Sequence, residues 1–284
     1  LKMDMLSIEA LDKIRKTMDL LIKDGRMEWK GSLKQTYFDT IHPDVLDYDR
    51  KLWEPTWDNK VLDVFQLDTP VGKQAMRNAK PEEVREAAAL NSLMRLMATE
   101  SGEMPLDKYT RFKKNIQLWY EELAKYNIPQ EEIPLLEKHY LPSSGVPNTQ
   151  EELMILLMDP GICGFTETEA NGARKIIGKK LMNKIPELKQ KVFDQAVCSH
   201  NTIQYIWDPA VSVQMGYSFS ILHTIGYTLI ALQELNLFNH YPSIYWNCGC
   251  LVVNSGDEEG SNTDYSKIAV ALGNTIKHGI KVEL

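Results

Sequence analysis

The chain has 284 residues, of which 43% are hydrophobic and 25% charged, and its formal net charge is −7. This composition is typical of a globular protein with room for one large domain or two small ones, and the negative total argues against non-specific wrapping of nucleic acid. No apolar run approaches the roughly 20 residues of a membrane-spanning helix, and no signal peptide opens the sequence, so we expect a cytoplasmic protein with no membrane partner.

The N-terminal segment predicts a strand end followed by one helix. Residues 1–6 form a short apolar run around Asp4, which we interpret as the end of a strand or a tight junction. Ser7 then caps a helix that Gly25 ends. Residues 26–60 lack a strong period and indicate loops and short helices.

The next hundred residues alternate apolar runs with helix signals. Residues 61–68 are apolar and predict either a strand or a buried turn. A helix is expected from Lys80-Pro81 to about Leu96, because proline and acids favour the first turn. Residues 106–140 predict one or two helices that break at Asn127-Ile128-Pro129.

The second half carries the clearest helix boundaries. A helix is predicted from Thr149 to Met158, and a capping box of Thr166 and Glu169 starts the next. Further helices are expected at about 186–206, 223–237 and 264–278. Taken together, these elements predict a mostly α protein without internal repeats.

Four cysteines are spread over the chain, at positions 163, 198, 248 and 250. A chain of this size does not need disulfides, so reduced thiols are favoured. A zinc site from Cys198, His200, Cys248 and Cys250 is the alternative, although these spacings are not the usual two-residue gap of zinc knuckles.

The strongest local charge lies between residues 174 and 191. This segment has one acid, Glu187, and a net charge of +6 from seven basic residues: Arg174, Lys175, Lys179, Lys180, Lys184, Lys189 and Lys191. Lys175 and Lys179 lie four apart and would repel each other on one helix face unless an anion lay between them, and Gly178 leaves room for a ligand. A phosphate site and a solvated helix face explain the charge equally well.

These basic residues lie in a segment that resembles a known family. Residues 170–180, ANGARKIIGKK, are similar to the fingers motif of bacterial DNA polymerase III alpha subunits (family C), where paired basic residues precede Gly-Lys-Lys. Other segments resemble this family's motifs in the same order, over roughly residues 1–246: residues 2–6 around Asp4, residues 64–69, residues 89–96 with Arg95, residues 145–154 with Gln150-Glu151, and Gly216-Tyr217-Ser218-Phe219 followed by His223 and Tyr227.

Three departures from the family pattern indicate a divergent, bacteriophage-encoded member. Asn171 stands where the family often has an acid. Leu96-Met97 replace Pro-Gly, and Ser220-Ile221-Leu222 replace Asn-Lys-Ser.

The resemblance implies a mostly α, multi-helix fingers domain with a short palm-derived strand at the N-terminus. Residues 1–8 would end the palm strand, and residues 9–284 would form the fingers region. A subdivision is expected near residue 145, and residues 247–284 are not assigned to the fingers or to another element.

The resemblance also assigns residue roles. The incoming deoxynucleoside triphosphate would be bound by seven residues: Arg174, Lys175, Lys179, Lys180, Tyr217, His223 and Arg95. Asp4 would be catalytic and would bind one of two Mg²⁺ ions, whose other carboxylates lie outside this chain. Gln150 and Glu151 are expected to orient the fingers helices. Structural roles for Arg95 and Tyr217 are about as probable, and without the family context Asp4 would be an ordinary surface or capping acid.

The implied partners are primer-template DNA, deoxynucleoside triphosphates, the remaining palm and thumb of the polymerase, and a sliding clamp, in a bacterium or a phage-infected host. We expect a piece of a longer polypeptide that is inactive alone as a DNA-directed DNA polymerase. Two alternatives remain: a non-catalytic nucleic-acid-binding module, and an interaction domain whose basic helix binds an acidic partner.

Overall fold

The computed structural model describes residues 8–96, 103–179, 181–215, 219–256 and 265–283. In these ranges the predicted mostly α fold is confirmed, and the extended contacts amount to one isolated parallel bridge between Thr149 and Phe219. The α-helices are α1 (Glu9–Lys23), α2 (Leu33–Thr40), α3 (Glu54–Trp57), α4 (Pro70–Ala79), α5 (Val84–Leu93), α6 (Pro105–Lys114), α7 (Gln117–Lys125), α8 (Ile133–Tyr140), α9 (Gln150–Met158), α10 (Glu167–Gly178), α11 (Ile185–Asp194), α12 (His200–Tyr205), α13 (Ile221–His240), α14 (Ser243–Asn254) and α15 (Tyr265–Lys277). The predicted strand at residues 1–6 and the Ser7 cap lie outside the described residues.

The chain divides into two compact units. Unit 1 combines Leu1–Val84 with Gly226–Leu284, and unit 2 is Arg85–Ile225. Residue 145 lies inside unit 2, and the subdivision near it and the boundary at residue 8 remain predictions.

In unit 1 the main helix pair is α1 against α14. Helix α1 buries Ile14, Met18 and Leu21 on one face, as its apolar spacing predicts. A Cβ on Gly249 of α14 would lie only 2.3 Å from the Thr17 hydroxyl oxygen of α1. Glycine is therefore needed where the two helices approach each other.

The apolar run at residues 61–68 is a buried turn, one of its two predicted forms. Trp246 donates its indole N–H to the Leu62 carbonyl oxygen at 2.8 Å, and the Phe65 backbone N–H donates to Glu234 Oε2 at 2.7 Å. These bonds satisfy polar groups that burial would otherwise leave without water.

Unit 2 is built around an aromatic cluster. Trp119, Tyr140 and Tyr205 are fully buried, and the Trp119 indole N–H donates to the Tyr205 hydroxyl at 2.9 Å. Helix α12 continues into a π-helix, Ile206–Val211, which contains Pro209. Because proline has no N–H to donate, it disturbs the regular helical ladder at this position.

Helix boundaries were predicted best where a local cap fixes them. The break at residues 127–129 is confirmed, and so is the helix ending at Met158. Helix α15 agrees with the prediction at 264–278 within one residue at each end. Helix α11 begins at Ile185, within one residue of the helix start predicted near residue 186.

Two boundary predictions were wrong, each for a local reason, and one helix was not predicted. Residues 80–83 are not helical, because Lys80 adopts a left-handed conformation that ends α4, and α5 begins only at Val84. The helix expected at 186–206 is two helices, since Ser199 caps α12. Helix α14, which contains Cys248 and Cys250, was not predicted.

The four cysteines are free thiols. Within the described ranges, no group of three or more His, Cys, Asp or Glu side chains is arranged to hold a metal ion. No described helix is both long and apolar enough to cross a membrane.

Candidate functional site

Two capped helices, α9 and α10, form the frame of the site. The Thr149 hydroxyl accepts from the Glu152 N–H, and the Glu152 carboxylate accepts from the Thr149 N–H, which completes a capping box. Thr166 and Glu169 form the same arrangement at α10, as predicted. The two helices pack against each other, so both helix starts are fixed within one frame.

Arg174 is half-buried on α10 and is held by two amide side chains. Its Nε and Nη2 donate to Asn171 Oδ1 at 3.1 and 2.9 Å, and its Nη1 donates to Gln150 Oε1 at 2.5 Å. These acceptors are neutral, so they orient the guanidinium group without cancelling its charge. Among the described residues, no carboxylate pairs with Arg174.

Lys175 and Lys179 lie at the C-terminal end of α10. Lys175 is in the last turn, and Lys179 caps the helix, with its backbone N–H donating to the Lys175 carbonyl oxygen at 3.2 Å. Both side chains are exposed, and neither has an ion-pair partner in the described part of the chain. The helix dipole favours cations here, which stabilises the two lysines without a ligand. Lys180 lies outside the described residues.

Gly178 lies between these two lysines in the sequence, directly before Lys179. A Cβ built at this position would meet open space among the described atoms. Packing inside the chain therefore does not require glycine here, and the backbone is open to approach from outside.

The rest of the basic segment belongs to other elements, including α11. Lys191 of α11 pairs with Glu169 at 2.8 Å, and its hydrogen bond is the main cause that lowers the pKa of Glu169 to about 2. Lys189 lies over the rings of Phe193 and Trp207, at 5.4 and 5.7 Å from the ring centroids. Only part of the local charge excess is thus available at the end of α10.

A second cluster contains Arg95, Phe219 and His223. The Arg95 guanidinium group lies 5.0 Å from the centre of the Phe219 ring, within the range of a cation–π contact. Phe219 stacks on His223 with a centroid distance of 5.3 Å and an interplanar angle of 16°. Arg95 and His223 are exposed, so this stack presents two nitrogen-bearing groups to solvent. Tyr217 lies outside the described residues.

The first turn of α9 contacts both clusters. The Gln150 N–H donates to the Phe219 carbonyl oxygen at 2.8 Å, while the Gln150 side chain binds Arg174. Glu151 accepts from the Ser220 hydroxyl at 2.9 Å and from the Ile221 N–H at 2.7 Å, at the start of α13. Two adjacent residues therefore connect Arg174 to the segment that carries Phe219.

Three predicted site residues therefore have contacts that meet at the first turn of α9. Arg174 binds the Gln150 side chain, whereas Arg95 and His223 contact Phe219, whose carbonyl oxygen accepts from the Gln150 N–H. Phe219 was not predicted as a site residue, although it belongs to the quoted Gly-Tyr-Ser-Phe motif. Its role between Arg95 and His223 depends on a contact across more than a hundred residues, which no local pattern reveals. Asp4, the predicted metal ligand, lies outside the described residues.

Comparison with known proteins gives the family of this chain. Residues 10–200 match the family described as the bacterial DNA polymerase III alpha subunit finger domain. Two relatives are 44% identical over 296 aligned positions: the "Probable DNA polymerase YorL" of Bacillus subtilis (strain 168) and the "DNA-directed DNA polymerase" of Bacillus phage SPbeta. The phage relative agrees with the expectation of a phage-encoded member.

A more distant relative is similar over most of the chain. The DNA polymerase III subunit alpha of Aquifex aeolicus (strain VF5) is 28% identical over 249 positions, which cover 87% of this chain and 19% of that protein. The two 44% alignments cover 100% of this chain but 23% of each relative, so the chain spans about a quarter of their length. On the family match over residues 10–200, the chain belongs to the finger-domain family of bacterial DNA polymerase III alpha subunits.

Proposed function

We propose that this chain is part of a DNA-directed DNA polymerase and binds the triphosphate of the incoming deoxynucleotide at the end of α10. The observation that carries the proposal is the Arg174 guanidinium group, which neutral amides fix in place while its charge stays uncancelled. Three of its five N–H groups donate to Asn171 and Gln150, so two remain for phosphate oxygens.

Lys175 and Lys179, at the C-terminal end of the same helix, add positive charge to this site, and we expect Lys180 to add more. Arginine recognises phosphate through paired hydrogen bonds, whereas lysine acts as a point charge that tolerates different oxygen positions. Charge moves onto the leaving pyrophosphate during nucleotide transfer, and fixed cations stabilise that charge. The open backbone at Gly178 gives the ligand close access.

The Arg95–Phe219–His223 stack supplies the second set of contacts. Arg95 and His223 would donate to phosphate oxygens, and Tyr217 would stack on the base or sugar. Gln150 and Glu151 would hold this set at a constant distance from Arg174, because they bind both segments.

Nucleotide transfer itself would use two Mg²⁺ ions held by palm carboxylates mostly outside this chain. Asp4 would contribute one ligand. Primer-template DNA would contact lysines and arginines through its phosphates, and the palm, the thumb and a sliding clamp would complete the assembly in the cytoplasm of a bacterium or phage-infected host.

Titration with a deoxynucleoside triphosphate and Mg²⁺ tests the binding proposal. We expect saturable binding that Arg174→Ala weakens about 10- to 100-fold, as the loss of charged hydrogen bonds predicts. Arg174→Lys should recover only part of the affinity, because lysine lacks the fork. Arg85→Ala is the control, since Arg85 is an exposed arginine of the same unit.

Unchanged triphosphate binding in Arg174→Ala would refute this site. Tight oligonucleotide binding with a steep salt dependence and no triphosphate binding would favour the non-catalytic nucleic-acid-binding module instead. The purified chain should not extend a primer unless a partner supplies the remaining palm carboxylates, and robust extension by the chain alone would contradict the metal assignment.

A further inference from the structure

Unit 2 contains a cavity of about 780 Å³, a volume in the range of small-molecule sites. Its walls come from α6, α7, the end of α8, the loop at residues 145–147 and the π-helix Ile206–Val211. Among the described residues, none of the Arg174 and Arg95 clusters lines it. The cavity is therefore a separate feature from the proposed triphosphate site.

The cavity has an unsatisfied hydrogen-bond donor in its wall. Tyr140 lines the cavity and is fully buried, and its hydroxyl group has no hydrogen-bond partner among the described residues. Burial raises the pKa of Tyr140 well above 10, so the hydroxyl keeps its proton. An unpartnered buried hydroxyl lowers the stability of the free protein, and a ligand acceptor would remove that cost.

The charges around the cavity favour an anionic ligand. Its acidic residues Glu103 and Glu122 are already paired, with Arg111 at 3.0 Å and with Lys108 at 2.6 Å. The third acid, Asp208, accepts from the Gln204 amide at 2.7 Å.

Two lysines at the cavity, Lys125 and Lys189, have no carboxylate partner in the described ranges. These two cations outnumber Asp208, the one acid of the cavity without a cationic partner among the described residues.

The remaining walls are aromatic. Tyr126 is half-buried and lines the cavity together with Trp207, over which the Lys189 ammonium group lies. Trp207 belongs to the π-helix, an element that occurs frequently at functional sites. An aromatic ring accepts a flat base by stacking, independently of base identity.

We propose that this cavity binds one nucleotide unit, with the base stacked on Tyr126, the base edge at the Tyr140 hydroxyl, and the phosphate at Lys125 and Lys189. The Tyr140 hydroxyl donates to an acceptor on the base edge, since every base carries a carbonyl oxygen or a ring nitrogen. The same chemistry is offered by an unpaired nucleotide of a DNA strand and by a free nucleotide, so the test separates these two sources.

The experiment uses the full chain carrying Arg174→Ala, so that the contribution of the proposed triphosphate site is reduced. Binding of an oligothymidylate, of thymidine monophosphate and of inorganic phosphate is measured by calorimetry at fixed salt. Tighter binding of the oligonucleotide assigns the cavity to a DNA strand, and tighter binding of the monophosphate assigns it to a free nucleotide. No nucleotide binding, or inorganic phosphate binding as tightly as the monophosphate, overturns the proposal.

Tyr140→Phe is the decisive variant, because it removes only the hydroxyl oxygen. We expect nucleotide affinity to fall about 3- to 10-fold while the melting temperature stays equal or rises, since an unpartnered group is lost. A purely structural tyrosine would not give that combination. Tyr120→Phe is the control: Tyr120 lies in the same unit and donates to Glu137 at 2.7 Å.

Lys125→Met tests the phosphate end, with the exposed Lys114→Met as its control. Lower affinity in Lys125→Met alone supports the proposal. The proposal is overturned if Lys125→Met and Lys114→Met bind the nucleotide with equal affinity. It is also overturned if Tyr140→Phe binds the nucleotide as tightly as the parent chain. All variants in this experiment carry Arg174→Ala, so the differences between them do not report on Arg174. Failure here therefore leaves the triphosphate proposal intact, and failure of that proposal leaves this one intact.

Discussion

Unit 1 contains a lysine–carboxylate pair that is almost fully buried, whereas unit 2 has two exposed lysines at the end of α10. Lys13 and Asp63 in unit 1 lie 3.2 Å apart, with only 10% and 13% of their side chains exposed. Burial alone would lower the pKa of Lys13 and raise that of Asp63, but their mutual attraction, together with the contacts of Lys13 with Glu9 and of Asp63 with Asn254, reverses both shifts. In unit 2, Lys175 and Lys179 are exposed without such partners among the described residues.

This contrast distinguishes charged residues that stabilise the fold from charged residues that can bind a ligand. A buried pair contributes to the folded state only while both partners are present, because a lone buried charge is costly. An exposed charge changes stability little and remains available to an anion. The surroundings of a lysine, more than its place in a charged run, therefore indicate whether it serves the fold or a ligand.

The largest expected effect comes from breaking the buried pair. Lys13→Met leaves Asp63 buried without its cation, and we expect the free energy of unfolding to fall by about 3 kcal/mol. Urea denaturation measures this loss of stability. Lys175→Met, the matched exposed substitution, should change stability by less than about 0.5 kcal/mol while weakening triphosphate binding. Similar stability losses in the two variants would abolish the distinction between the units.

A second test concerns Glu234, which is fully buried in unit 1. Burial raises the pKa of this carboxyl well above its ordinary 4.5, although the Phe65 N–H and Lys13 oppose the shift. The folded state therefore holds the proton at pH values where the unfolded chain releases it. Stability should fall as pH rises above about 4.5, with a limiting slope of about 1.4 kcal/mol per pH unit from this group.

Glu234→Gln checks that assignment, because glutamine resembles the protonated carboxyl but does not titrate. Denaturation curves at several pH values should show the parent chain losing stability relative to Glu234→Gln as pH increases. Parallel pH profiles for the two proteins would mean that Glu234 is not the titrating group.

Local signals made part of this architecture predictable. The capping boxes at Thr149 and Thr166 involve residues three apart, so the sequence alone identifies them. The break inside the basic segment also had a local signal, since Pro186 occupies the first turn of α11. Helix α14 is apolar on most sides and lacks the polar–apolar period that identifies a surface helix, which explains why it was missed.

The contacts that define the candidate site are not local. Arg174 meets Gln150 across 24 positions, and Arg95 meets Phe219 from the other end of unit 2. The family resemblance pointed to Arg174, Arg95 and His223 as site residues, but no spacing rule predicts that amides would hold the arginine. Likewise, Lys13 looks in the sequence like any other lysine of an amphipathic helix, since its partner Asp63 lies on a distant turn.

The smallest expected effect tests the neutral amides around Arg174. Gln150→Glu keeps an oxygen acceptor for Arg174 Nη1 but adds a negative charge, so it should preserve the contact and cancel the charge. We expect triphosphate affinity to fall about fivefold, the equivalent of about 1 kcal/mol, with an unchanged or higher melting temperature. Gln117→Glu makes the same charge change at the exposed start of α7 and should leave triphosphate affinity unaltered. If Gln150→Glu bound triphosphate as well as the parent chain while Arg174→Ala did not, the geometry of the arginine fork would matter more than its uncancelled charge, and the exposed lysines beside it would have to supply the electrostatic attraction.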